Sequence, residues 1–131
     1  MEDILRKIEK HKIKALVYRH NFESPADFIY VKRFDGTVDV QGCISEELNG
    51  LLDIVPTVIS MIHSDIDDGE YDRISIRRIK STYGESITIN SSSCKVIVRW
   101  NPFFPREQQY EVEFTGMPRR FVEEISKVIT L

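Results

Sequence analysis

The residue types that do chemistry are few in this chain, and their spacing matters more than their number. The histidines are His11, His20 and His63. No two stand at i, i+4, and none has a cysteine or a pair of carboxylates beside it in sequence. A metal centre or a general acid–base pair would therefore need the fold to bring distant residues together. The acidic run Asp65 to Glu70, DIDDGE, with Asp72 behind it, resembles a calcium loop only in composition. Counted from Asp65, Gly69 falls where the third acidic ligand belongs, and no glutamate closes the loop at the required distance. A solvated acidic turn is the simpler expectation. Cys43 and Cys94 stand in no CxxC. Cys94 alternates with Val96, Val98 and Trp100, which predicts a buried small hydrophobe rather than a nucleophile. Cys43 has no basic neighbour to activate it. Ser91-Ser92-Ser93 lacks a nucleophile-elbow setting, and the scattered glycines form no phosphate-cradling loop. No catalytic residue, metal site or cofactor is assigned.

Two constellations do suggest a surface. Arg77 and Arg78, with Arg73 and Lys80, crowd one predicted strand, while Arg119 and Arg120 fall in the first turn of a predicted helix. Cations are disfavoured at that end of a helix, so Arg77, Arg78, Arg119 and Arg120 are candidate anion-binding residues. The loop Pro102-Phe103-Phe104-Pro105 places two aromatics between prolines, and a strand cannot bury both with ease. Phe103 and Phe104, with Phe28, Tyr30 and Phe34 of an aromatic hairpin face, are candidate partner-binding residues.

The elements that would position these residues follow from periodicity. The chain of 131 residues, 41% hydrophobic and 30% charged, fits one globular domain over 1–131 with a core of ordinary size. Ile44 to Ser64 carries Leu48, Leu51, Leu52, Val55, Ile59 and Ile62 at helical spacing. It predicts a long central helix lying on a sheet, N-capped by Ser45. Pro56 falls inside it and predicts a kink, a break into two short helices being the alternative. Glu2 to Lys10 reads as a short N-terminal helix. Ile13 to Arg19 could extend that helix or start a strand, and the alternation of Ile13, Ala15 and Val17, with the strand preference of Val and Tyr, favours the strand. Phe28 to Gln41, turning at Asp35-Gly36, predicts a hairpin with a two-residue type I′ turn. That turn pairs Lys32 with Asp39, Val31 with Val40 and Tyr30 with Gln41, and puts Ile29, Val31, Val38 and Val40 on a core face. Four strands follow, around Asp72–Lys80, Ile87–Ile89, Cys94–Trp100 and Tyr110–Phe114. A β-bulge at Arg77-Arg78 would bring Ile79 into phase with Ile74 and Ile76. A last helix starts near Pro118, with Phe121, Val122, Ile125, Val128 and Ile129 on one side. The order α-β-β-β-α-β-β-β-β-α with hairpin links predicts an α+β domain whose antiparallel sheet is covered by helices.

The hairpin FIYVKRFDGTVDVQG leading into ISEELNGLLDIV is similar in element order to the roadblock and longin-like group, whose dimers build adaptor platforms. The overall plan is also similar to class I secretion-effector chaperones, which are small, acidic and dimeric. The segment NPFFPREQQYEVEF departs from the first plan, and neither similarity rests on a residue-specific motif.

A net charge of −3 argues against a nucleic-acid or anionic-membrane binder. The amino-terminal sequence lacks the apolar run of a signal peptide, and no apolar run is long enough to span a membrane. The expectation is a cytoplasmic, non-enzymatic protein-binding or adaptor domain that pairs with itself as a homodimer. The alternatives are an inhibitor or immunity-type protein with a basic partner, and a small enzyme or anion-ligand binder using the arginines.

Overall fold

The computed structural model describes residues 13–19, 26–32, 38–42, 54–55, 57–105, 109–116 and 118–128, the first three segments as backbone pairing alone. The expected N-terminal helix, the Asp35-Gly36 turn, the Ser45 cap and Pro56 lie outside them.

Among the described residues eight strands form one sheet: β1 (Ile13–Arg19), β2 (Ala26–Lys32), β3 (Val38–Gly42), β4 (Gly69–Tyr71), β5 (Ile74–Ser81), β6 (Gly84–Ser91), β7 (Cys94–Trp100) and β8 (Tyr110–Gly116). Their order across the sheet is β3-β2-β1-β8-β7-β6-β5-β4. The strands β4 to β8 are an antiparallel meander, and β1 to β3 another. The two are joined through β1 and β8, which run parallel. The antiparallel sheet of an α+β domain is therefore present, with one parallel seam that hairpin logic did not anticipate.

Alternation decides the faces of the meander. Ile76, Ile87, Ile89, Val96, Val98, Val112 and Phe114 pair in register across β5 to β8, and all are buried, as is Ile74 opposite Ser91. Helical residues 54–55 and 57–60 run into a 3-10 turn, Met61–His63, and lay Val55, Val58, Ile59, Met61 and Ile62 on that face. The C-terminal helix, Pro118–Ser126, begins on the expected proline and adds Phe121 and Ile125 to the same core. Burying a set of this size is the main favourable term in folding. The opposite face carries Arg77, Thr88, Ile97 and Glu113 in one row of paired positions.

Three expectations are corrected. The β2–β3 hairpin pairs Lys32 with Val38, Val31 with Asp39 and Tyr30 with Val40, one residue out of the expected register. A two-residue turn cannot produce that register, because it needs an odd-length connection. The slip exchanges faces on one strand relative to the other, so Ile29 and Val31 do not share a face with Val38 and Val40. Second, β5 pairs with β6 without a bulge from Ile74 to Ser81. Ile79 stays out of phase with the core and is exposed, while Arg78 takes the core-side position. Third, the acidic turn contains the extra strand β4, which has one glycine and one glutamate in three residues and so no hydrophobic pattern to read.

Candidate functional site

The loop end of the meander gathers exposed apolar groups. Among the described residues the exposed large hydrophobics are Ile79, Tyr83, Phe103 and Phe104. Ile79 is near the end of β5, Tyr83 is in the turn between β5 and β6, and the two phenylalanines are in the loop between β7 and β8. Ile79, Tyr83 and Phe104 line one open groove of about 310 Å³, with Trp100, Arg99 and Glu111 among its other walls. Phe103, 74% exposed, stands beside it without lining it.

The loop that carries the two phenylalanines is pinned by its own polar residues. The Phe103 N–H donates to the Asn101 side-chain oxygen at 3.0 Å, and the Phe104 N–H to the Asn101 carbonyl at 3.3 Å. The Asn101 N–H donates to the Gln109 carbonyl at 2.9 Å, closing the loop's base. The Gln109 amide then donates to the carbonyls of Pro102 and Phe104, each at 3.2 Å. The side-chain bonds replace part of the pairing that the backbone loses on leaving the sheet. Gly84 shapes the other wall. Its φ of +149° favours glycine, and a Cβ there would collide with the Trp100 carbonyl oxygen.

Charges of both signs frame the groove. Arg99 bonds Glu111 at 2.7 Å and Glu113 at 3.3 Å. Lys80 pairs with Glu85 at 3.7 Å and is 76% exposed, so this second pair contributes little to stability. Under the groove lies an aromatic cluster. Trp100 stacks on Tyr110 with ring centroids 6.2 Å apart, and His63 meets Trp100 edge-on at 4.9 Å. His63 Nε2 is hydrogen-bonded to the Tyr110 hydroxyl. Burial raises the Tyr110 phenol above its ordinary range, so the hydroxyl stays protonated at neutral pH. This histidine is thus placed by packing, at the point where the central helical segment ends.

Arg78 holds that end. Its Nε donates to the Ile66 carbonyl at 2.7 Å, and its terminal nitrogens donate to the carbonyls of Met61, Ile62 and Ser64 at 2.7, 3.1 and 2.8 Å. The last carbonyls of a helix have no partner within it, and a guanidinium supplies donors and a favourable charge together. The Arg78 N–H is itself bound by Asp68 at 2.6 Å. Arg77 alternates to the opposite face of β5 and is exposed. Arg120 is exposed on the C-terminal helix, which packs on the core side. The side chain of Arg119 lies outside the described residues. Arg77, Arg78 and Arg120 are therefore spread over both sides of the sheet.

Of the aromatic candidates, Phe104 lines the groove and Phe103 stands exposed beside it on the same loop. Phe28 and Tyr30 are on β2, two strands away from β8, in rows that run through Tyr18 and Leu16 to Phe114 and Val112. Phe34 lies outside the described residues. Ile79, Tyr83, Arg99, Asn101 and Gln109 were not singled out from sequence. The signal in the sequence is Ile79, one residue out of phase with Ile74 and Ile76 and here exposed. Cys94 is buried and unpaired with another cysteine, and burial first, with the Glu124 charge adding and the Thr115 backbone bond opposing, pushes its thiol up to about 12. That thiol is not a nucleophile at neutral pH. Among the described residues, no group of three His, Cys, Asp or Glu is placed to hold a metal ion, and no helix is long and apolar enough to cross a membrane. No family model, curated protein or solved structure matches the chain.

Proposed function

We propose that this is a non-enzymatic protein-binding domain that self-associates through the loop end of its sheet. The observation that carries the reading is the gathering of Ile79, Tyr83, Phe103 and Phe104 at one end of the meander, around a single groove. Exposed apolar side chains scattered singly need no explanation, whereas a contiguous set of them marks a contact surface. The asparagine and glutamine bonds hold the phenylalanine loop in place before any partner arrives, which lowers the ordering cost of binding. A two-fold arrangement suits this surface, because Phe103 stands next to a groove it does not fill. Each copy would then offer its Phe103 to the groove of the other. An adaptor role and a cytoplasmic location belong to the same proposal. They rest on the acidic composition and on two cysteines that stand in no CxxC and have no zinc-ligand spacing.

Light scattering over a dilution series tests this. The wild-type chain is expected to pass from dimer to monomer on dilution, and the Phe103→Ser/Phe104→Ser variant to remain monomeric throughout. A wild-type monomer at every concentration, or a dimer equally stable in the variant, would remove the support for self-association at this end.

A further inference from the structure

The sheet has an incomplete edge beside the groove. The strand β4 pairs with β5 only from Ile74 to Ile76, and no described strand lies outside β5 from Arg77 to Ser81. Ile79, Lys80 and Ser81 are exposed there. Arg78 fixes which way the backbone groups turn, because its N–H leaves β5 on that side to reach the Asp68 carboxylate at 2.6 Å. Asp68 thus supplies the acceptor that a neighbouring strand would offer. Every second residue of a strand turns its N–H and C=O to the same side. Lys80 therefore presents both groups at the open edge, where no described residue takes them.

Such an edge is a template for another strand. Its two sides differ in chemistry. Ile79 and Ser81 help to line the groove. Lys80 alternates to the other side, 76% exposed and held only by Glu85 at 3.7 Å. Arg77, also exposed, adds positive charge to the strand. An added strand would set one row of side chains beside Ile79 and the groove, and the other row beside Lys80. A second copy of β5 suits this poorly, because two-fold pairing of the free segments brings two lysines together.

We propose that this edge binds an extended acidic segment of another protein, in which acidic and apolar residues alternate. Its backbone completes the pairing of Lys80. Its acidic side chains meet the Lys80 ammonium, and an apolar one lies against Ile79 and enters the groove. Main-chain bonds then supply affinity, and the groove supplies selection. The inference rests on the groove being a contact surface, as the self-association reading does, but it needs no second copy.

Calorimetry on the full chain with the peptide Glu-Phe-Glu-Phe-Glu, blocked at both ends, tests this. It is expected to bind with a Kd below about 1 mM. Lys-Phe-Lys-Phe-Lys, and the acidic peptide N-methylated throughout so that its backbone cannot donate, are expected to bind at least about tenfold more weakly. Lys80→Pro removes the edge-facing N–H, a change that an edge strand tolerates, and is expected to weaken the acidic peptide by at least about tenfold. Lys80→Gln, which removes the charge alone, is expected to weaken it by about threefold. Circular dichroism checks that Lys80→Pro is folded, and the N-methylated peptide on the wild-type chain carries the test if it is not. No binding of the acidic peptide at about 1 mM, equal binding of its N-methylated form, or unchanged binding in Lys80→Pro would overturn the proposal. Light scattering on the same samples reads self-association separately, so failure of one reading is told from failure of the other.

Discussion

At the scale of single residues, the informative groups are polar ones that packing has committed to a task. Asn101 and Gln109 hold a loop whose two phenylalanines would otherwise be free to fold back on the sheet. Gln109→Ala removes two amide bonds and is expected to cost about 1 kcal/mol in urea denaturation. The same variant is expected to speed proteolysis between Pro102 and Pro105. Cys94 gives a pH dependence with a definite sign. Its thiol titrates near 9.0 when unfolded and near 12 when buried. Between those values the unfolded chain loses the proton and the folded chain keeps it, so this residue's contribution is full below pH 9 and declines as pH rises. The buried Tyr110 phenol acts in the same direction at higher pH. A Cys94→Ala variant is expected to show a shallower loss of stability from pH 9 to 12, whatever its absolute stability. A slope equal to that of the wild type would mean that the thiol is not taken out of water. The inert character of Cys94 was legible from its alternation with Val96 and Val98. The roles of Asn101 and Gln109 were not, because their bonds depend on a loop path that periodicity does not describe.

Single elements show where pattern reading succeeds and where it stops. Cys94 to Trp100 reads as a strand from alternation, and Ile13 to Arg19, open between helix and strand, leans to strand by alternation and residue preference; both are strands over those residues. The last helix starts at the residue that its proline indicated. The hairpin failed in register rather than in existence. Asp-Gly is a strong signal for a two-residue turn, yet the ladder requires an odd-length connection, so pairing between the strands prevailed over local turn preference. In β5 the error was one of purpose. Periodicity asks for a bulge that would turn Ile79 to the core, and none is present. The core-side position belongs instead to Arg78, because helix-end carbonyls arrive there and need donors. No periodicity argument weighs a tertiary cap against an apolar side chain. Arg78→Met keeps much of the stem but removes every donor. It is expected to destabilise the fold by about 2–4 kcal/mol in urea denaturation. Arg78→Lys is expected to recover only part of this, since an ammonium cannot reach the same carbonyls with a planar fork. Full stability in Arg78→Met would show that water satisfies those carbonyls as well.

Over the whole molecule, two antiparallel meanders meet in one sheet through the parallel seam of β1 and β8. That seam joins strands from near the two ends of the chain and could not be read locally, since no hairpin turn links them. The helical segments take one face for the core. Among the described residues the exposed large apolar side chains gather where β5 ends and where the β5–β6 and β7–β8 connections turn. Only the phenylalanine half of that end was visible in the sequence. Tyr83 and Ile79 join it because strand pairing returns β5 and β7 to the same level. The account rests on this end being the contact surface between copies. Its most direct test places a photo-crosslinking phenylalanine analogue at Phe103, and in a second sample at Thr88 on the opposite face from the core. Purified protein is irradiated and its covalent mass is read. A crosslinked dimer from position 103, with the bond mapped to the stretch from Ile79 to Gly84 or to the Phe104 loop of the partner copy, is the expected result. Equal crosslinking from both positions, or none from position 103 at concentrations where light scattering shows a dimer, would contradict it.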